Sequence, residues 1–138
     1  MSRKRVLLAD DHSATVRLWR SLIEPEFEVV GTACDGETLV EAAERLAPDV
    51  IVSDITMPRM SGITAACNIL RRHPATCVVF VTVHADRMIL RRSLAVGALG
   101  YVLKVRAGDD MLPAIRAALR GEVHISPFPP LVDIPDQE

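Results

Sequence analysis

Four short runs of uniformly apolar residues, at 6–9, 50–52, 78–81 and 101–103, punctuate this sequence, and none of them alternates with polar residues. A half-exposed strand reads apolar and polar in turn. A run without alternation is a strand covered on both faces, the condition of a parallel sheet held between helical layers. A further run, residues 27–33, is interrupted by Glu28 and is placed at an edge of the sheet.

Between the runs the apolar residues change period. Val16, Trp19, Leu22 and Ile23 share one face of a helix, as do Leu39, Ala42, Ala43 and Leu46, and then Ile63, Ala66, Cys67 and Leu70. A fourth helix is expected from about Asp86 to Gly97, and a fifth carries Met111, Ile115, Ala118 and Leu119 and stops at Gly121. Asp35 and Asp109 or Asp110 are suited to cap helix starts, and Pro113 fits only within a first helical turn. Strand and helix thus alternate five times, which predicts an α/β fold with an open parallel sheet and helices on both faces. The domain is expected to span residues 1–122. Residues 123–138 are rich in proline and, from Ser126 on, carry only acidic charges, so they read as a tail or linker.

With 138 residues and 49% hydrophobic content, the chain suits one domain with a full core. A net charge of -2 supplies no global basic field, so no nucleic-acid binding is expected of this chain alone. Cys34, Cys67 and Cys77 are an odd number without close spacing, the pattern of reduced thiols rather than a disulfide or zinc framework. Arg3, Lys4 and Arg5 precede an apolar run, yet Asp10 and Asp11 end it too soon for a signal peptide. No stretch reaches the roughly 20 apolar residues of a membrane span, and a cytoplasmic protein is expected.

The polar residues at the strand ends are more specific. Asp10 and Asp11 end the first strand, Asp54 the third, Thr82 the fourth and Lys104 the last. In an open α/β sheet the carboxyl ends of the strands form one rim, where ligands bind. Three carboxylates and one ammonium gathered there carry about −2 when all are ionised, and a divalent cation would balance them. Oxygen donors select a hard ion, so Mg²⁺ is the expected occupant.

Across about residues 4–122 the sequence resembles the receiver domain of bacterial response regulators. The resemblance is carried by the Asp10-Asp11 pair after an apolar strand, by Asp54 followed by Met57-Pro58 and Gly62, and by Thr82, Gly100-Tyr101 and Lys104. Asp10-Asp11-His12 with Arg17, and residues 100–104, are most similar to receivers that precede a LuxR-type helix-turn-helix output domain. The resemblance implies a doubly wound, flavodoxin-like sheet of five strands in the order 2-1-3-4-5. It also implies a phosphoacceptor switch rather than a turnover enzyme.

Position by position, it implies that Asp54 takes a phosphoryl group from a phosphohistidine of a sensor histidine kinase or phosphotransfer protein. Asp11, Asp54 and the Thr56 carbonyl would hold Mg²⁺, with Asp10 acting through a coordinated water. Lys104 and Thr82 would bind phosphoryl oxygens, and Tyr101 would turn inward behind Thr82. The surface altered is that of helix four, strand five and helix five. It would serve a downstream output protein, a DNA-binding domain missing from this chain, or a homodimer partner. Two charge-assisted hydrogen bonds at roughly 1.5 to 3 kcal/mol each come to about the 5 kcal/mol that a full population shift requires.

His12 and His84 are placed to line the cleft rim or touch the phosphoryl group, but read first as solvated loop histidines. Arg87, Arg91, Arg92 and Arg106 suit equally a partner-binding face and a solvated one. Two positions depart from the receiver pattern: Val83 follows Thr82 where a small residue is common, and Val105 follows Lys104 where proline is common. A trans bond before Val105 is expected, since cis without proline costs about 2.5 to 4 kcal/mol. A docking or dimerisation module that works without phosphorylation is the leading rival. A haloacid-dehalogenase-type phosphatase is a weaker one, because Asp54 is followed by Ile55 and Thr56 rather than by a second aspartate.

Overall fold

A computed structural model describes residues 3–127. The elements run β1 (Arg5–Ala9), α1 (Ser13–Ile23), β2 (Glu28–Ala33), α2 (Gly36–Leu46), β3 (Val50–Ser53), α3 (Gly62–Arg72), β4 (Cys77–Thr82), α4 (Arg87–Ala95), β5 (Gly100–Leu103), a 3-10 turn (Lys104–Arg106), α5 (Ala107–Leu119) and β6 (His124–Ile125). All four uniformly apolar runs are strands, and their residues are buried on both sides, as the absence of alternation requires. Successive strand side chains point to opposite faces. Leu7, Ile51, Val78, Phe80 and Tyr101 therefore meet α2 and α3 on one side. Val6, Leu8, Val52, Val81 and Val102 meet Trp19 and Ile23 of α1 and Met111 and Ile115 of α5 on the other.

The sheet has six strands in the order β2-β1-β3-β4-β5-β6, all parallel, where five were expected. The core order matches expectation and β2 lies at an edge. The added strand pairs His124 with Gly100 and Ile125 with Tyr101. Two residues before a proline carry too little periodicity to be read as a strand. The remainder of the expected tail, residues 128–138, lies outside the described residues.

Local chemistry explains most boundaries. Asp35 caps α2 through the Thr38 N–H at 2.8 Å, Ser61 caps α3 through the Thr64 N–H at 3.1 Å, and Asp86 caps α4 through the Met88 N–H at 2.7 Å. Helix α5 corrects the expected start. The 3-10 turn feeds the chain straight into the helix at Ala107, so Asp109 and Asp110 lie in the first turn instead of capping it, and Pro113 lies inside the helix. The carbonyl that the proline leaves without an N–H is that of exposed Asp109. Helix α4 is the least embedded of the five, with Ser93 alone fully buried, whereas α5 buries seven residues. Among the described residues no helix is long and apolar enough to cross a membrane, and the three cysteines are free.

Candidate functional site

The carboxyl ends of β1, β3 and β5 bring Asp10, Asp54 and Lys104 into direct contact. Lys104 Nζ lies 3.1 Å from Asp10 Oδ1 and 3.0 Å from Asp54 Oδ2. Both carboxylates are buried, and backbone N–H groups fix their second oxygens: His12 donates to Asp10 Oδ2 at 3.0 Å and Ile55 to Asp54 Oδ1 at 2.7 Å. The aspartates' orientations are thus set by their own chain, and the lysine bridges them.

Burial raises the Asp54 carboxyl above its ordinary range, and the adjacent Asp10 adds to this against the pull of Lys104. Burial would raise Asp10 as well, but its bonds with Asp54, Lys104 and the His12 N–H hold it below the usual value. Burial works against the Lys104 charge, yet the two carboxylates outweigh it and push the ammonium upward. The same ammonium lies 5.8 Å from the centroid of the Trp19 ring, within cation–π range.

Asp11 is exposed and meets the cluster through His12, whose Nδ1 is 3.2 Å from Asp11 Oδ1 and 3.5 Å from Asp10 Oδ2. Ligand atoms of Asp10, Asp11 and His12 all lie within 4.8 Å of one another. An open cleft of about 400 Å³ adjoins them, lined by Ser13, Arg17, Thr32 and Cys34. Oxygen dominates this corner, so it fits a hard cation. His12, read from sequence as solvated, stands against both acids while its ring stays exposed.

Thr56, Thr82 and Tyr101 converge on His84, which reads from sequence as a solvated loop histidine. The His84 N–H donates to Thr82 Oγ1 at 3.2 Å, the His84 carbonyl accepts the Tyr101 hydroxyl at 2.7 Å, and the His84 ring Nε2 lies 2.8 Å from Thr56 Oγ1. Tyr101 is therefore inward and fully buried, and burial pushes its phenol well above the ordinary value. His84 is half-buried rather than a freely solvated loop histidine. Its position two residues beyond Thr82 was the one available signal, and no periodicity marks it.

Gly62 has a steric reason. A Cβ there would stand 2.1 Å from the Asp54 carbonyl oxygen, so only glycine lets α3 begin this close to the acidic loop. Val83 is 69% exposed and Val105 is 93% exposed. Among the described residues every peptide bond is trans, as expected before Val105.

An open parallel sheet with acids and a lysine on its carboxyl rim defines a receiver-type α/β switch domain. Residues 6–116 match the family described as response regulator receiver domain, and the chain belongs to that family. It is 34% identical over 125 residues to the transcriptional regulatory protein DegU of Brevibacillus brevis, covering 89% of this chain and 53% of DegU. It is 38% identical over 125 residues to the response regulator GacA of Pseudomonas viridiflava, covering 89% of this chain and 58% of GacA. The chain thus spans little more than half the length of these relatives. Among solved structures, a LuxR-family two-component response regulator from Aurantimonas sp. SI85-9A1 superposes with a TM-score of 0.86 at 30% identity, covering 96% of this chain and 94% of that one. The receiver domain of the putative response regulator NarL of Mycobacterium tuberculosis gives 0.82 at 26% identity, covering 88% and 100%.

Proposed function

We propose that Asp54 is the phosphoacceptor of this receiver domain, and the observation that carries the reading is Lys104 bridging Asp54 and Asp10 at 3.0 and 3.1 Å. A carboxylate oxygen of Asp54 attacks the phosphorus of a phosphohistidine. The P–N bond breaks, the imidazole leaves with the electron pair and takes up a proton, and an aspartyl phosphate remains. Transfer of this kind depends on positioning and on charge neutralisation more than on covalent assistance. The Ile55 N–H orients the nucleophile, and Lys104 offers its ammonium to the incoming oxygens.

Receiver domains bind Mg²⁺ at an acidic pocket, and the oxygen-rich corner here fits one. Asp11, Asp54 and the Thr56 carbonyl would hold the ion, with Asp10 acting through a water. The ion supplies charge neutralisation for the phosphoryl oxygens.

The switch follows from the network behind the rim. Thr82 gives its hydroxyl to a phosphoryl oxygen, which draws on the His84 backbone and hence on the Tyr101 hydroxyl and Thr56. Helix α4, the least embedded helix, moves with that loop. The phosphodonor is a sensor histidine kinase or phosphotransfer protein acting in the cytoplasm. The relative DegU is named a transcriptional regulatory protein, which supports a DNA-binding output domain as the element controlled. The α4–β5–α5 face is the proposed homodimer surface, with β6 added beyond β5.

Incubation with Mg²⁺ and acetyl phosphate, followed by intact mass, tests the reading. A single phosphoryl adduct that is absent in Asp54→Ala supports it. An unmodified protein, or an adduct that survives the substitution, overturns it in favour of a module that docks without phosphorylation.

A further inference from the structure

The chain beyond α5 is fastened to the domain by one buried serine. Ser126 is 1% exposed although it lies in a stretch with proline on its C-terminal side. Its N–H donates to the Tyr101 carbonyl at 2.9 Å, and its hydroxyl accepts the Leu103 N–H at 3.1 Å and donates to Asp110 Oδ2 at 2.6 Å. Arg106 Nε holds the same carboxylate oxygen at 2.7 Å, and His124 Nε2 faces the other at 3.9 Å. The serine thus grips the strand residue whose hydroxyl bonds His84 and the residue that immediately precedes Lys104.

Lys104 and Asp54 are now at hydrogen-bond distance, which leaves no room for a phosphorus atom between them. Once Asp54 carries a phosphoryl group the ammonium must withdraw. Its backbone opens the 3-10 turn and is tied to α5 through the Ala107 N–H, and the preceding residue, Leu103, donates its N–H to Ser126, so a withdrawal that reaches the Lys104 backbone bears directly on the serine.

We propose that Ser126 is a positioning residue for Lys104, and that residues 124–126 form a latch on the β5 edge which phosphorylation of Asp54 loosens. This rests on the reading of Asp54 as phosphoacceptor. Loosening frees the Leu99 and Tyr101 carbonyls, which now accept the His124 and Ser126 N–H groups. Coupling of this kind is reciprocal, so a chain without the latch binds a phosphoryl mimic more tightly than one with it.

The test compares amide hydrogen exchange of the full chain in Mg²⁺ with and without saturating beryllofluoride, with binding followed by calorimetry. The expected result is faster exchange at His124 and Ser126 on binding, with the α5 core unchanged. Ser126→Ala is expected to exchange fast in both states and to bind beryllofluoride about fivefold or more tightly. Damage to the fold would weaken binding instead, so unchanged or weaker binding by a variant of native circular dichroism overturns the latch. Should Ser126→Ala fail to fold, the wild-type exchange decides alone. Binding without altered exchange at 124–126 overturns the latch and leaves Asp54 standing, whereas no Asp54-dependent binding overturns both.

Discussion

Lys104 holds its ammonium 5.8 Å from the Trp19 ring while bonding Asp10 and Asp54, so the single tryptophan of the chain stands beside the acidic cluster. Trp19 is buried, and its emission responds to the position of a nearby charge. Adding beryllofluoride in Mg²⁺ is expected to shift or requench Trp19 fluorescence in the wild type and leave Asp54→Ala unchanged. Identical responses in the two proteins would count against movement of Lys104.

Removing the lysine leaves two buried carboxylates facing each other. Lys104→Ala is expected to lose about 2 kcal/mol in urea unfolding without metal, less than a fully buried pair would, because the lysine side chain is 22% exposed. Mg²⁺ should then raise the melting temperature of the variant more than that of the wild type, since binding to the folded state alone stabilises it. A smaller response in the variant would contradict the placement of the ion among these acids.

Gly62→Ala forces a methyl group against the Asp54 carbonyl, 2.1 Å from its oxygen. The obstacle is backbone rather than a flexible side chain. A loss of about 3 kcal/mol is expected, with impaired phosphoryl adduct formation because the Asp54 loop must shift. Intact mass and chemical denaturation check the two effects separately.

Tyr101→Phe deletes the hydroxyl that bonds the His84 carbonyl at 2.7 Å and keeps the packed ring. The expected cost is about 1 kcal/mol, with the Asp54 adduct forming at close to the wild-type rate. A variant unable to accept phosphate would place Tyr101 in the chemistry rather than behind it.

The Arg106 guanidinium holds Asp110 below its ordinary value of 3.8. Its contribution to stability is therefore fully present above that value and is lost as pH falls through the lower folded value, because the unfolded chain protonates first. The melting-temperature gap between wild type and Asp110→Asn should narrow as pH falls from about 6 to about 3. A gap that widens on acidification would reverse the assignment.

The sequence made the sheet legible because its central strands are apolar throughout, and it made the acid–lysine cluster legible because Asp10, Asp54 and Lys104 each follow the end of such a strand. What escaped it depends on contacts with no sequence period. His84 acts mainly through its backbone N–H and carbonyl, groups that any residue possesses. Ser126 gains its role from burial against Leu103 and Asp110, which composition placed in a tail. The start of α5 was misplaced for a related reason: a 3-10 turn passes into an α-helix without a capping side chain, so no residue type marks the join.

Because β6 runs parallel to β5, the backbone reaches Pro127 heading for the same rim at which Asp54 would be modified. Whatever is tethered there starts its search a short distance from the reaction centre, at an effective concentration set by the connecting chain rather than by its abundance in the cell. A fusion joined at that point is held within reach of the signal, which makes tether length a natural variable for tuning its response.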